Sequence, residues 1–275
     1  MSRTIVHLSD IHFGKVDPAI LEPLLSAVHQ LAPHVVVVSG DLTQRARTSE
    51  FIEARAFLDR LPSPQIVVPG NHDVPLYNIY GRFVGQLGKY QRHITPDLEP
   101  SYVDDELAVL GTNTARSLAW KGGRVNFHQI ARIKERLFEL DPRVIKIVVT
   151  HHPFDLPQGF TESHLVGGAR MAMGHLAECG ADLLLAGHMH VSAVCRTVLR
   201  YQIAGHSALV VQAGTAASTR SRGELNSFNC LRTDAGAVSI ERWSWSPEVG
   251  GFASAGREIF RKGADGWEPS ELVPS

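Results

Sequence analysis

Five apolar runs in this chain each stop at residues able to bind a metal, and that repetition limits the fold more than any other feature. HVVVVS (34–39) is the purest of them: consecutive valines, apolar on both sides of a strand, belong in a sheet covered on both faces. It runs into Gly40 and Asp41. TIVHLS (4–9) leads to Asp10-Ile11-His12, and QIVVP (65–69) leads to Gly70-Asn71-His72-Asp73. VIKIVVT (144–150) leads to His151-His152-Pro153, and ADLLLA (181–186) to Gly187-His188-Met189-His190. A carboxylate directly after a fully buried strand is costly unless a cation meets it, so Asp41 calls for one. Residues i and i+2 of an extended backbone share a side, which lets Asp10 and His12 converge on one ion, and His188 and His190 share the same i, i+2 geometry.

Between these runs lie segments of helical period. Residues 18–32 place Leu21, Leu24, Leu25, Val28 and Leu31 on one face, with Pro18 in the first turn; 49–61 follow a Thr48 or Ser49 cap; 126–139 turn Ile130, Ile133 and Leu137 inward, with Leu140 just beyond. LAVLGT (107–112) and LVVQA (209–213) read as further strands. The aromatic and basic segment 77–99 reads as short helices near the mouth of a site or as a peripheral connection, and 154–175 as a long glycine-containing loop; both are possible cap segments. A hairpin is expected at 227–245, turning at Asp234-Ala235-Gly236, with a short strand at 258–261 in the tail. In layered α/β sheets the carboxyl ends of the strands line one edge, and ligands bind in the crevice outside them. That edge gathers Asp10, His12, Asp41, Asn71, His151, His188 and His190. These donors exceed the needs of one ion; with Asp41 as a shared bridge they make two four-ligand sets that leave positions for water and substrate oxygens.

Composition removes several function classes. At 275 residues, 44% hydrophobic and a formal net charge of −1, the chain can bury a core and has no bulk charge for nucleic acid or anionic membrane. No apolar run approaches the ~20 residues that span a bilayer, and MSRTIVHLSD lacks the pattern of a secretory leader, so a cytoplasmic protein is expected. Cys179, Cys195 and Cys230 are odd in number and form no CxxC, which fits small buried apolar residues better than a disulfide frame or a thiolate zinc site. His29 and His128, in or near helices, read as surface or packing residues.

DxH at 10–12, GD at 40–41, GNHD at 70–73, a histidine two before proline at 151–153 and GHxH at 187–190 resemble, in this order, the signature of calcineurin-like metallophosphoesterases. The resemblance covers roughly residues 4 to 215 and is strongest to bacterial class III cyclic nucleotide phosphodiesterases. It implies one domain over 1–275, a four-layer αββα sandwich of two mixed β-sheets flanked by helices, with the C-terminal hairpin in the second sheet. It further implies that Asp10, His12, Asp41 and His190 hold one metal, and that Asp41, Asn71, His151 and His188 hold the other. The two ions would be divalent or mixed-valence, drawn from Mn, Fe, Zn or Co. Asp41 and His72 would be the catalytic residues, His72 touching the substrate phosphate or leaving oxygen without binding metal. His152 is then an outer or packing residue, Gln44 stands where many relatives carry an acid, and Arg170 and His164 are either substrate contacts or surface residues. The implied reaction is attack of a metal-bridging hydroxide on a small phosphodiester, 3′,5′-cyclic nucleotides such as cAMP first among them. Glycerophosphodiesters and lipid-linked pyrophosphates are alternatives, as is a non-catalytic scaffold of the retromer-subunit kind. The apolar hairpin is a candidate surface for a homodimer.

Overall fold

The computed structural model describes residues 2–75, 85–116, 122–157, 159–220, 223–234 and 236–270. Two mixed sheets pack face to face with helices on their outer sides, the expected αββα sandwich. Parallel β1 (Arg3–Leu8), β2 (Val35–Val38) and β3 (Gln65–Val67) form one half of a seven-stranded sheet. Antiparallel β10 (Ser227–Asp234), β11 (Ala237–Ser246), β12 (Gly251–Gly263) and β13 (Gly266–Pro269) extend it from β1. The six-stranded sheet runs β4 (Ser101–Val103), β5 (Leu107–Gly111), β6 (Ile145–Val149), β7 (Leu183–Ala186), β9 (Leu209–Gln212) and β8 (Ala193–Arg196). Within it β5, β6, β7 and β9 are parallel.

The period of two sorts each strand between layers. Val35 and Val37 join Ile66, Val109, Ile147 and Leu185 between the sheets. Val36 and Val38 face outward onto Leu24 and Val28 of α1 (Pro18–Gln30) and Phe51 and Leu58 of α2 (Thr48–Leu58). On the far side Val148, Leu184 and Val210 meet Ile130 and Leu137 of α4 (Phe127–Phe138) and Met173 and Leu176 of α5 (Ala169–Glu178). Apolar contact on both faces is the reason these strands read as unbroken hydrophobic runs.

Several expectations change. The C-terminal hairpin joins the sheet of β1, and its tail holds the thirteen-residue β12 in place of a short strand, because β11 supplies pairing partners along its whole length. Ala235 at its turn lies outside the described residues, as do 77–84 of the first cap segment and 158 of the second. The described part of that segment includes α3 (Gly88–His93), whose buried Tyr90 donates to the Val67 carbonyl at 3.0 Å, so it is packed structure. The 154–175 stretch is not all loop: it holds a 3-10 turn at Glu162–His164 and the start of α5. Gly168, with φ 89°, turns the chain into that helix, and Ala169, Ala172 and Met173 bury one face despite the glycines around them. Helix α2 is capped from within, Glu50 Oε2 accepting from Arg45 N at 2.8 Å and Arg47 N at 3.2 Å, not by Thr48 or Ser49. The short β4, β8 and α6 (Val198–Tyr201) are additions that no local periodicity announced. Among the described residues no helix is long and apolar enough to cross a membrane, and all three cysteines are free.

Candidate metal centre

All seven expected ligands and His72 meet at the carboxyl edge of the parallel strands, where the two sheets face each other. The backbone there is unusual. Asp10, His12, Asp41, His188 and His190 have φ of 54°, 56°, 53°, 70° and 59°, the left-handed region that costs a non-glycine residue on the order of 1 kcal/mol. Strands β1, β2 and β7 therefore end in sharp turns that rotate the next side chains into the cleft. Close backbone approach is secured by glycine: a Cβ on Gly70 would stand 2.2 Å from Asp41 Oδ1, and one on Gly187 would stand 2.5 Å from Asp10 Oδ2.

Donor atoms form two linked groups. Asp10, His12, Asp41 and His190 offer ligand atoms that all lie within 4.8 Å of one another. His190 Nε2 is 3.2 Å from Asp10 Oδ1, and the His12 and His190 Nε2 atoms are 3.4 Å apart. In the second group Asn71 Oδ1 lies 3.2 Å from His151 Nε2 and 3.1 Å from His188 Nδ1. Asp41 Oδ2 connects them, 3.8 Å from His12 Nε2 and 3.4 Å from His151 Nε2. His152 stands beside the second group, its ring centroid 4.6 Å from that of His188. Its Nδ1, however, is engaged with Thr114 Oγ1 at 2.8 Å. Gly123 makes room for it, since a Cβ there would stand 2.2 Å from His152 Nδ1.

Outer contacts aim these side chains. Carbonyl oxygens accept only, so His12, His151 and His190 donate through Nδ1 to Thr43, Ser39 and Arg220 at 3.3, 2.8 and 3.1 Å, leaving Nε2 free to face the cleft. Asp10 Oδ2 accepts from Ser9 Oγ at 2.6 Å and from His188 N at 3.0 Å. Asp10 Oδ1 is buried without a hydrogen-bond partner and points among the imidazoles, the arrangement a cation would satisfy. Asp10 and Asp41 are buried and, among the described residues, pair with no lysine or arginine. Burial opposes their charge, yet neighbouring imidazoles hold both carboxyls low, His190 foremost at Asp10 and His151 foremost at Asp41. Burial likewise opposes charge on His151, but the Asp41 carboxylate outweighs it and raises the imidazole to about 9. Two buried acids, one with an unpartnered oxygen, interleaved with imidazoles and a neutral amide, make a donor set that fits two cations.

The sequence pattern left two contributors unassigned. Asp73 is buried and accepts from Gly70 N, Leu42 N, Thr43 N and Thr43 Oγ1, which ties the turn after β3 to the turn after β2. It sits inside the GNHD motif, so its position was the available signal. Arg220 comes from the turn after β9, and nothing in its local sequence tied it to the site; its side chain reaches His72. Arg170 and His164 lie away from this edge, Arg170 exposed and 3.9 Å from Glu162, His164 beside Thr161. His29 and His128 are on helix surfaces.

The fold and this edge together define a calcineurin-like phosphoesterase. The calcineurin-like phosphoesterase family model matches residues 3–192, and the chain belongs to that family, whose members use a dinuclear metal centre. An uncharacterized protein of Bacillus subtilis (strain 168), YpbG, is 27% identical over 191 residues, 68% of this chain and 61% of the relative. A probable cyclic nucleotide phosphodiesterase of Synechococcus sp. is 31% identical over 100 residues, 31% of this chain and 39% of the relative. The chain thus spans less than two thirds of the length of either curated relative. Purple acid phosphatase PPD1 from yellow lupin (Lupinus luteus) seeds superposes with a TM-score of 0.70 at 14% identity, over 100% of this chain and 57% of that one, and shares the fold.

Proposed function

We propose that this protein is a dinuclear metal-dependent phosphodiesterase acting on small phosphate diesters, with 3′,5′-cyclic nucleotides such as cAMP the leading substrates. The observation that carries the reading is Asp41 Oδ2, held 3.8 Å from His12 Nε2 and 3.4 Å from His151 Nε2, where one carboxylate serves two donor groups. Asp10, His12, Asp41 and His190 would hold one ion; Asp41, Asn71, His151 and His188 would hold the other. Two such ions supply Lewis acidity toward a phosphoryl oxygen and bring the pKa of water down to near neutrality. The protein's own part is geometric. Strained turns fix the donors before any ligand arrives, and Asp41 Oδ1 accepts from His72 N at 2.8 Å, which sets the His72 ring against His12 at a centroid distance of 5.0 Å. His72 then faces the reacting phosphate or its leaving oxygen without being a ligand.

Similarity to the Synechococcus protein supports the cyclic nucleotide choice. A scaffold role is the weaker reading, because every expected donor is present and aimed inward. Residues 1–275 would form one cytoplasmic domain. The test is turnover by manganese-loaded protein on 3′,5′-cAMP, a bis-aryl phosphate, an aryl phosphate monoester and a UDP-linked pyrophosphate, with Asp41→Asn as control. Metal-dependent cleavage of cAMP that Asp41→Asn abolishes is the expected result; cleavage of the pyrophosphate alone would replace the diester substrate, and no activity on any of the four would favour the scaffold.

A further inference from the structure

Arg220 touches the site twice, on two different atoms, and lies beyond the matched residues 3–192. Its carbonyl accepts the His190 Nδ1 hydrogen at 3.1 Å, which makes its main chain part of the ligand frame. Its guanidinium is separate: Nη1 lies 3.1 Å from His72 Nε2 and 3.4 Å from Gln44 Oε1. A guanidinium only donates, so His72 Nε2 accepts and the imidazole proton sits on Nδ1, which donates to the Gln44 carbonyl at 2.9 Å. In this arrangement His72 has no Nε2 hydrogen to offer a leaving group. The positive charge beside it belongs to Arg220.

Among the described residues that charge is otherwise unmatched: no carboxylate pairs with Arg220, and its side-chain contacts engage Nη1 alone, with Nε and Nη2 unused. A half-buried guanidinium with neutral partners and a spare pair of donors matches two oxygens of a phosphate group. We propose that Arg220 anchors the substrate phosphate beside the metal centre, its fork binding phosphoryl oxygens while His72 is held in the Nδ1–H tautomer. This rests on the phosphodiesterase reading and adds to it a residue outside the family's metal motif, one that selects for an anionic diester.

The test uses the full, manganese-loaded chain as wild type, Arg220→Ala and Arg220→Lys, with inorganic phosphate as the binding probe and a bis-aryl phosphate as substrate. Loss of charged hydrogen bonds predicts phosphate binding weaker by roughly tenfold to a hundredfold in Arg220→Ala, with a comparable rise in KM exceeding any fall in kcat. Arg220→Lys recovers part of the binding, since it restores charge without the fork. Bound manganese per chain stays at the wild-type level, and the ¹⁵N spectrum of His72 loses its single Nδ1–H signature in Arg220→Ala. Phosphate binding unchanged in Arg220→Ala, or a fall explained by lost manganese, would overturn the proposal. Should the wild type turn over no diester, the phosphodiesterase reading fails, and the phosphate comparison still decides the role of Arg220.

Discussion

The seven-stranded sheet has two halves that obey different rules. In β1, β2 and β3 the strands are parallel, so their carboxyl ends fall on one edge, and Asp10, His12, Asp41, Asn71 and His72 all emerge there. In β10 to β13 the strands are antiparallel, successive ends alternate between edges, and none of the expected donors comes from them. The parallel half carries left-handed turns at Asp10, His12 and Asp41; the ribbon places positive φ only at glycines 236, 250 and 266 among its described residues. One half stores strain to aim side chains, while the other is relaxed and gives the chain area and cover. Topology, more than composition, separates a functional edge from a structural one.

The sharpest way to break this contrast is Asp41→Asn, which removes the oxygen common to both donor groups. Turnover of a diester is expected to fall by on the order of 10³-fold or more, with loss of bound manganese by elemental analysis and an unchanged circular dichroism spectrum. The converse substitution is Trp267→Ala in the ribbon. Trp267 is 1% exposed, and its Nε1 donates to Asp182 Oδ1 at 2.9 Å, joining β13 to the other sheet. Stability should drop by about 3–5 kcal/mol in denaturant unfolding, while kcat of the protein that remains folded stays near wild type. A matching loss of metal affinity would show that the two halves are not independent.

Glycines sharpen the comparison. Gly70→Ala puts a Cβ 2.2 Å from Asp41 Oδ1, and manganese affinity by titration is expected to weaken by roughly tenfold to a hundredfold. Gly256→Ala in β12 meets nothing within 4 Å and should leave stability within about 0.5 kcal/mol of wild type. Between these in size is the ion pair at the opposite edge, where Arg3 Nε lies 2.7 Å from Asp104 Oδ2 and joins β1 to the turn after β4. Burial opposes the Asp104 charge, but Arg3 and the Glu106 and Leu107 amides hold its carboxyl at about 2, below its value in the unfolded chain. The pair's contribution of about 1 kcal/mol is therefore present above pH ~4 and lost as pH falls through about 2. Unfolding of Asp104→Asn against wild type should show that gap at pH 6 and its closure in acid; a gap independent of pH would assign the effect to packing.

Legibility in the sequence followed the same division. The parallel strands were readable because apolar contact on both faces leaves an uninterrupted run, and their donors because each is covalently next to such a run. In β12 the residues are Gly251 to Gly263, mostly exposed with only Phe252 and Phe260 buried, and their extended form depends on hydrogen bonds to β11 that no local pattern encodes. Helix α5 was obscured in the same way: Gly167, Gly168 and Gly174 read as loop, and contact with α4 and the outer face of β6 decides for helix. Asp73 was visible as a letter of a motif while its role as the tie between two turns was not.

By itself, then, the sequence determined which residues are candidate donors and that each follows a buried strand, because both are local facts. It also showed the alternation of strand and helix periods, while the four-layer arrangement of two sheets followed from the resemblance of its motifs to a known family. Only the tertiary structure decided that Asp41 lies between His12 and His151, that His152 turns to Thr114, and that Arg220 reaches back to His72 from 148 residues away. Those are meetings of distant segments, and their energy resides in packing and in strained turns that the residues' own backbone preferences oppose.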